Sequence, residues 1–251
     1  MRTSTCISLT LVLLAAGGVR TANAQSAAAH RLRISINAGA QPSSITFAGS
    51  TTKVVYQEHS VVNTKYGVGT GRSFDGGVLV GVIGRISAGV AVSTVVKRQD
   101  GAFAVTVPHP FFTNTPRSIA GTASGLERNE LVTHIQGAYV MSSGGKVDIV
   151  LSGGPSWFHV KQDLVSDVTV AETFPYNTVA FVAASSTTIS TTKIGFNAGA
   201  DVGVRLSRNV GVGGLVRFSR ASVEFQSADD ATAVTSRFGG IQLAVGLRLF
   251  F

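Results

Sequence analysis

The sequence predicts an all-β protein: an eight-stranded antiparallel up-and-down β-barrel that crosses a membrane, with short turns at one end and long loops at the other. Three observations predict it. Charged residues make up only 14% of the 251-residue chain, and hydrophobic residues 44%, with 29 glycines. Soluble domains carry about 25% charged residues. Yet the chain holds no apolar run of the 18 or so residues that a membrane helix needs. Apolar residues instead alternate with small and polar ones, the period of a β-strand. Finally, the links between alternating segments are short and long in strict turn, as in membrane barrels.

Residues 1–24 read as an export leader. Arg2 supplies a basic start, residues 7–16 a short apolar core, and Ala22-Asn23-Ala24 a small-x-small cleavage pattern. The mature chain, 25–251, is expected to be one barrel domain. Cys6 is the one cysteine and would leave with the leader, so no disulfide is expected.

Eight segments then alternate. In 31–41, Leu32, Ile34, Ile36, Ala38 and Ala40 share a face. In 73–84 the apolar face carries Phe74, Val78, Val80 and Val82. Residues 88–96 set Val90 and Val92 against Gly89, Ala91 and Ser93. Segment 131–141 offers Leu131, Ile135, Tyr139 and Met141; segment 147–160 offers Val147, Ile149, Leu151 and Trp157. Segment 194–206 sets Ile194, Phe196, Val202 and Val204 against Gly195, Asn197, Gly199 and Asp201. Segment 210–218 alternates Val with Gly. The last, 240–251, sets Ile241, Leu243, Val245, Leu247 and Leu249 against Gln242, Ala244, Gly246 and Arg248.

The composition of the second face fixes which face points out. A soluble barrel would carry Lys, Glu and Thr there. Here it is Gly, Ala, Ser, Asn and isolated charges, which suit a narrow lumen. The apolar face is therefore assigned to lipid. Asp75, Asp148, Asp201, Arg205, Arg217 and Arg248 are then expected inside. Enclosed charges need partners, so they read as a structural plug. Arg217, opposite Gly199, lies one diagonal step from Asp201 and is expected to pair with it.

Links 85–87, 142–146 and 207–209 are the short turns; 42–72, 97–130, 161–193 and 219–237 are the long loops. If Met141 pairs with Val147, then Tyr139 faces Ile149, Leu131 faces Trp157, His134 faces Gly154 and His159 faces Asn129. Loop residues Phe111, Phe112, Phe174 and Tyr176 are candidate surface aromatics. They serve either as a binding patch or as packing for the loops.

The sequence holds little that points to catalysis. His134 and His159 sit too far apart to share a metal, and no HxxxH or HExxH spacing occurs. Ser152, Ser156 and His134 could supply part of a hydrolytic triad, but no acid is placed to orient the histidine. The formal net charge of +8 comes from basic residues scattered singly. That argues for anionic lipid headgroups rather than nucleic acid as a partner.

The final strand, Gly240-Ile241-Gln242-Leu243-Ala244-Val245-Gly246-Leu247-Arg248-Leu249-Phe250-Phe251, ends in phenylalanine. It resembles the C-terminal signature read by the bacterial outer-membrane assembly machinery. The layout resembles the OmpA-like and OmpX-like small barrels. The strings 107–112 and 154–164 are similar to those of the "outer membrane protein beta-barrel domain" group. The resemblance implies a monomer in the Gram-negative outer membrane, inserted through a signal in which Phe251 takes part and surrounded by lipid and lipopolysaccharide. It implies a structural or surface-interaction role without catalysis, cofactor or metal. A small porin-like passive channel is the first alternative, and a lipid A-modifying hydrolase the second.

Overall fold

The computed structural model describes residues 32–42, 45–142, 146–227 and 230–251. The expected leader lies outside them. Ten antiparallel strands follow in order: β1 (Leu32–Gln41), β2 (Ile45–Val55), β3 (Glu58–Val68), β4 (Gly71–Ile83), β5 (Ile86–Val107), β6 (Arg117–Ser142), β7 (Val147–Glu172), β8 (Val179–Arg205), β9 (Val210–Ser227) and β10 (Asp230–Phe250).

Eight of them close a ring in chain order. β1 pairs with β4 and β10, and each of β4 to β10 pairs with the next, including β5 with β6. Closure satisfies the backbone without leaving an edge in the barrel wall. The fold class is the one the alternation predicts. Among the described residues the strand count is ten rather than eight, because the expected loop 42–72 holds the hairpin of β2 and β3. Its strand β3 pairs with the upper part of β5, from Val61↔Thr106 to Val68↔Gln99.

The other three long links are also corrected. They are mostly strand, so that β5 runs for 22 residues, β7 for 26 and β8 for 27. The physical reason is legible along β5. One face stays inward throughout: Ser87, Ala91, Ser93, Val95, Lys97, Gln99, Phe103, Val105 and Val107 are all buried. In its lower half that face is small and polar, while Val90, Val92 and Val96 point outward and are exposed. Above Lys97 the chemistry changes sides. Phe103, Val105 and Val107 turn inward, and the outward positions become Arg98, Asp100, Ala102 and Ala104. The alternation never breaks; only its polarity reverses.

The upper part therefore has a conventional core. Val62 and Tyr66 of β3, Phe103 and Val105 of β5, Leu126 of β6, and Val165 and Val168 of β7 pack together there. Gly125, at φ +80°, makes the bulge that leaves both Ala123 and Leu126 buried. In the lower part the distribution is inside out. Leu243, Val245 and Leu247 are 47%, 71% and 52% exposed, while Arg217 and Arg248 are 3% and 0%.

The β6–β7 register departs from the expected one by two residues. Tyr139 pairs with Leu151, Leu131 with His159 and Thr133 with Trp157, with an irregularity between Val140 and Ser142. An even shift leaves every side chain on its expected face. It also sets His134 opposite Ser156 rather than Gly154.

Candidate functional site: the filled lumen and the aromatic tip

The lumen is filled in layers. Nearest the short turns, Arg205 donates to Asp148 at 2.7 and 3.1 Å. Arg33 and Arg248 share Asp201, the latter at 2.7 Å. Arg248 Nη1 also donates to Asn37 Oδ1 at 2.6 Å, and Asn37 Nδ2 to Asp75 Oδ1 at 2.9 Å. Asp75 forms the ion pair with Arg217. Arg217 does lie opposite Gly199, but its partner is Asp75 across the lumen and not Asp201, which Arg33 and Arg248 already occupy. Asp201, Arg248, Asp75 and Arg217 are thus linked through Asn37 into one chain of paired charges inside the wall, and Asp148 and Arg205 form a separate pair beside it.

A neutral polar layer surrounds His134. Its Nδ1 lies 2.8 Å from Ser156 Oγ and its Nε2 3.0 Å from Ser93 Oγ. Asn197 donates to the same Ser156 oxygen at 2.8 Å and accepts from Gln136 at 3.2 Å. Histidine and serine meet here as a hydrolase would need, but a second serine takes the place of the acid. His134 is 1% exposed and faces the lumen, not lipid. His159 turns away, to Thr192 at 3.0 Å.

Val132, Phe158, Val160, Ala221 and Phe238 then form an apolar disc. A second charge cluster sits at its upper side. Glu130 accepts from Lys97 Nζ at 3.2 Å and from Arg128 Nε at 2.9 Å. Its other oxygen accepts from the Gly239 N–H at 3.2 Å. Arg128 lies over the Phe238 ring, 4.2 Å from its centroid. Sequence reasoning missed this cluster because it falls in the predicted loop 97–130. The signal was present as Lys97, Arg128 and Glu130 at alternating positions.

At the far end, the three upper hairpins are latched together. Buried Arg117 donates to the Tyr176 carbonyl at 2.9 Å and the Pro108 carbonyl at 2.5 Å, and forms an ion pair with Glu172. Tyr56 OH donates to Glu172 Oε2 at 2.7 Å. Glu58 accepts from the Asn114 N–H at 3.1 Å. His109 Nδ1 accepts from the N–H groups of Phe111 and Phe112 at 3.1 and 3.2 Å. Tyr56, Gln57, Asn114 and Tyr176 hold positive φ angles of 51°, 65°, 56° and 69°, a conformation that costs free energy for such residues.

The latch presents aromatic rings instead of burying them. Phe111, Phe112 and Phe174 are 71%, 63% and 81% exposed. Phe111 and Phe174 flank Tyr176, with ring centroids 5.6 and 6.1 Å from its own. At the opposite end Phe251 exchanges backbone hydrogen bonds with Leu32 at 2.9 and 3.1 Å.

A closed antiparallel barrel with an apolar exterior and a charge-paired interior defines the class: a membrane-spanning β-barrel. Neither a family model nor a curated sequence matches the chain. Among solved structures, the chain is similar to Neisserial surface protein A, at 12% identity and a TM-score of 0.41, over 88% of this chain and 97% of that one. It is also similar to the translocator domain of the autotransporter NalP from Neisseria meningitidis, at 10% identity and a TM-score of 0.26, over 89% and 90% of the two chains.

Proposed function

We propose that this chain is an integral outer-membrane barrel with a surface-interaction role, carried by its aromatic tip, and that it catalyses no reaction. The tip carries the reading. Positive-φ residues at the three described upper hairpin ends and the buried Arg117 latch frame a tip on which Phe111, Phe112 and Phe174 are exposed. Exposed aromatics on a rigid frame bind without a large ordering cost.

In this reading the short turns face the periplasm and the upper strands stand outside the cell. Against a passive channel stand the buried side chains of the lumen: paired charges, the His134 layer and the Phe158–Phe238 cluster occupy the interior of the wall. The lipid-facing surface carries no His134 or Ser156, which argues against a lipid A hydrolase.

Orientation and exposure can be tested on intact cells. A membrane-impermeant maleimide is expected to label Phe174→Cys and to leave Lys146→Cys untouched. Labelling in the reverse pattern would overturn the surface role. For the binding role, cells producing the F111A/F112A/F174A variant at wild-type levels should adhere less to polystyrene, an apolar probe surface.

A further inference from the structure

The lumen-facing charges do not balance. Among the described side chains, Arg33, Lys97, Arg128, Arg205, Arg217 and Arg248 face inward against Asp75, Glu130, Asp148 and Asp201. Each of these four carboxylates is already shared or paired. Near the short turns the surplus lies where Arg33 and Arg248 share Asp201, and it has some access to water, because the Arg33 and Asp201 side chains are 10% and 14% exposed. At the upper cluster it does not. Lys97 and Arg128 are both 0% exposed and share the single carboxylate of Glu130. Phe238 covers one face of the Arg128 guanidinium, and the Phe158 disc and the Phe103–Tyr66 core enclose the level from both sides.

The hydrogen bonds show the same surplus. Arg128 Nη1 has no protein acceptor, and neither do Arg217 Nε and Gln242 Nε2 on the lumen wall. Gln162 Oε1, Gln41 Oε1 and Ser73 Oγ are unmatched groups that can accept, but none of them carries the charge needed to neutralise a cation. An enclosed charge without a counter-charge is strongly unfavourable.

We infer that the lumen holds a small monovalent anion of the halide class against Arg128 Nη1 and Lys97 Nζ. The ion completes a two-cation, two-anion cluster with Glu130. Both cations are fully enclosed, which favours a small ion over a larger carboxylate. The inference concerns the inside of the wall and does not depend on what the tip binds.

Two measurements test it on the refolded full barrel in detergent. With bromide replacing chloride throughout, anomalous diffraction should show a bromide in contact with Arg128 Nη1 or Lys97 Nζ. Bromide found at surface sites alone, meaning an adventitious ion only, or a water at the cluster, would overturn the proposal. In solution, the unfolding temperature should rise by about 3 °C for each tenfold increase in chloride at constant ionic strength, with gluconate as the balancing anion. Lys97→Met and Arg128→Met each leave one cation and one carboxylate, so both should lose that dependence. An unchanged dependence in either folded variant would contradict the assignment. If neither variant folds, the bromide density in the wild-type barrel decides.

Discussion

Asp75 and Arg217 are each almost fully buried and are held by each other, with Asn37 as the third partner. Removing one charge leaves the other enclosed, which costs about 3 kcal/mol or more. Asp75→Asn should lower unfolding free energy by that amount in urea titrations of the barrel in vesicles. Adding Arg217→Met should recover most of the loss; no recovery would show that the pair is not the origin of the cost. Tyr66 gives a second residue-scale prediction, outside the membrane belt. Its hydroxyl accepts the Val165 N–H at 2.9 Å, and burial holds it above the usual phenol range. A group whose folded pKa is raised contributes stability below its unfolded pKa and loses it as pH rises through the folded value. The upper core should therefore loosen above about pH 10. Tyr66→Phe should cost about 1 kcal/mol at neutral pH and flatten that alkaline loss, as read by tryptic cleavage of the upper strands.

Single strands carry two environments in series. β5 keeps one inward face while its apolar side moves from outside, at Val90 and Val92, to inside, at Phe103 and Val105. This is why the sequence was legible below the switch and not above it. A search for an apolar outward stripe follows 88–96 and stops at Lys97, although the period of two continues. The hairpin of β2 and β3 was lost for the same reason, since residues such as Thr46, Thr51 and Thr52 resemble a polar loop. The inward placement of Asp75, Asp148, Asp201, Arg205, Arg217 and Arg248 could be read from parity alone. Their partners could not, because Arg217 meets Asp75 across the lumen, a distance no local register encodes. Since the upper core is separate from the belt, Phe103→Ala should expose the upper strands to protease and cost about 3–5 kcal/mol there. The lower barrel should stay folded, as judged by resistance to unfolding in SDS at room temperature. Simultaneous loss of both would mean that the two environments fold as one unit.

The whole molecule is a barrel whose lower part suits lipid and whose upper part suits water, joined by continuous strands. The large apolar residues around the lower wall would be costly to leave in water at about 25 cal/mol per Å²; hydrocarbon tails remove that cost. The filled lumen predicts that planar bilayers containing the purified protein show no steady unitary current at moderate voltage. The most direct test of the central assignment is a nitroxide scan along residues 241–248 of the barrel in lipid vesicles, reading collision rates with oxygen and with a water-soluble nickel chelate. Labels at 241, 243, 245 and 247 should collide strongly with oxygen and weakly with nickel, while those at 242, 244, 246 and 248 should be shielded from both. Strong nickel collisions at 243, 245 and 247 would place that face in water and contradict the membrane-spanning barrel.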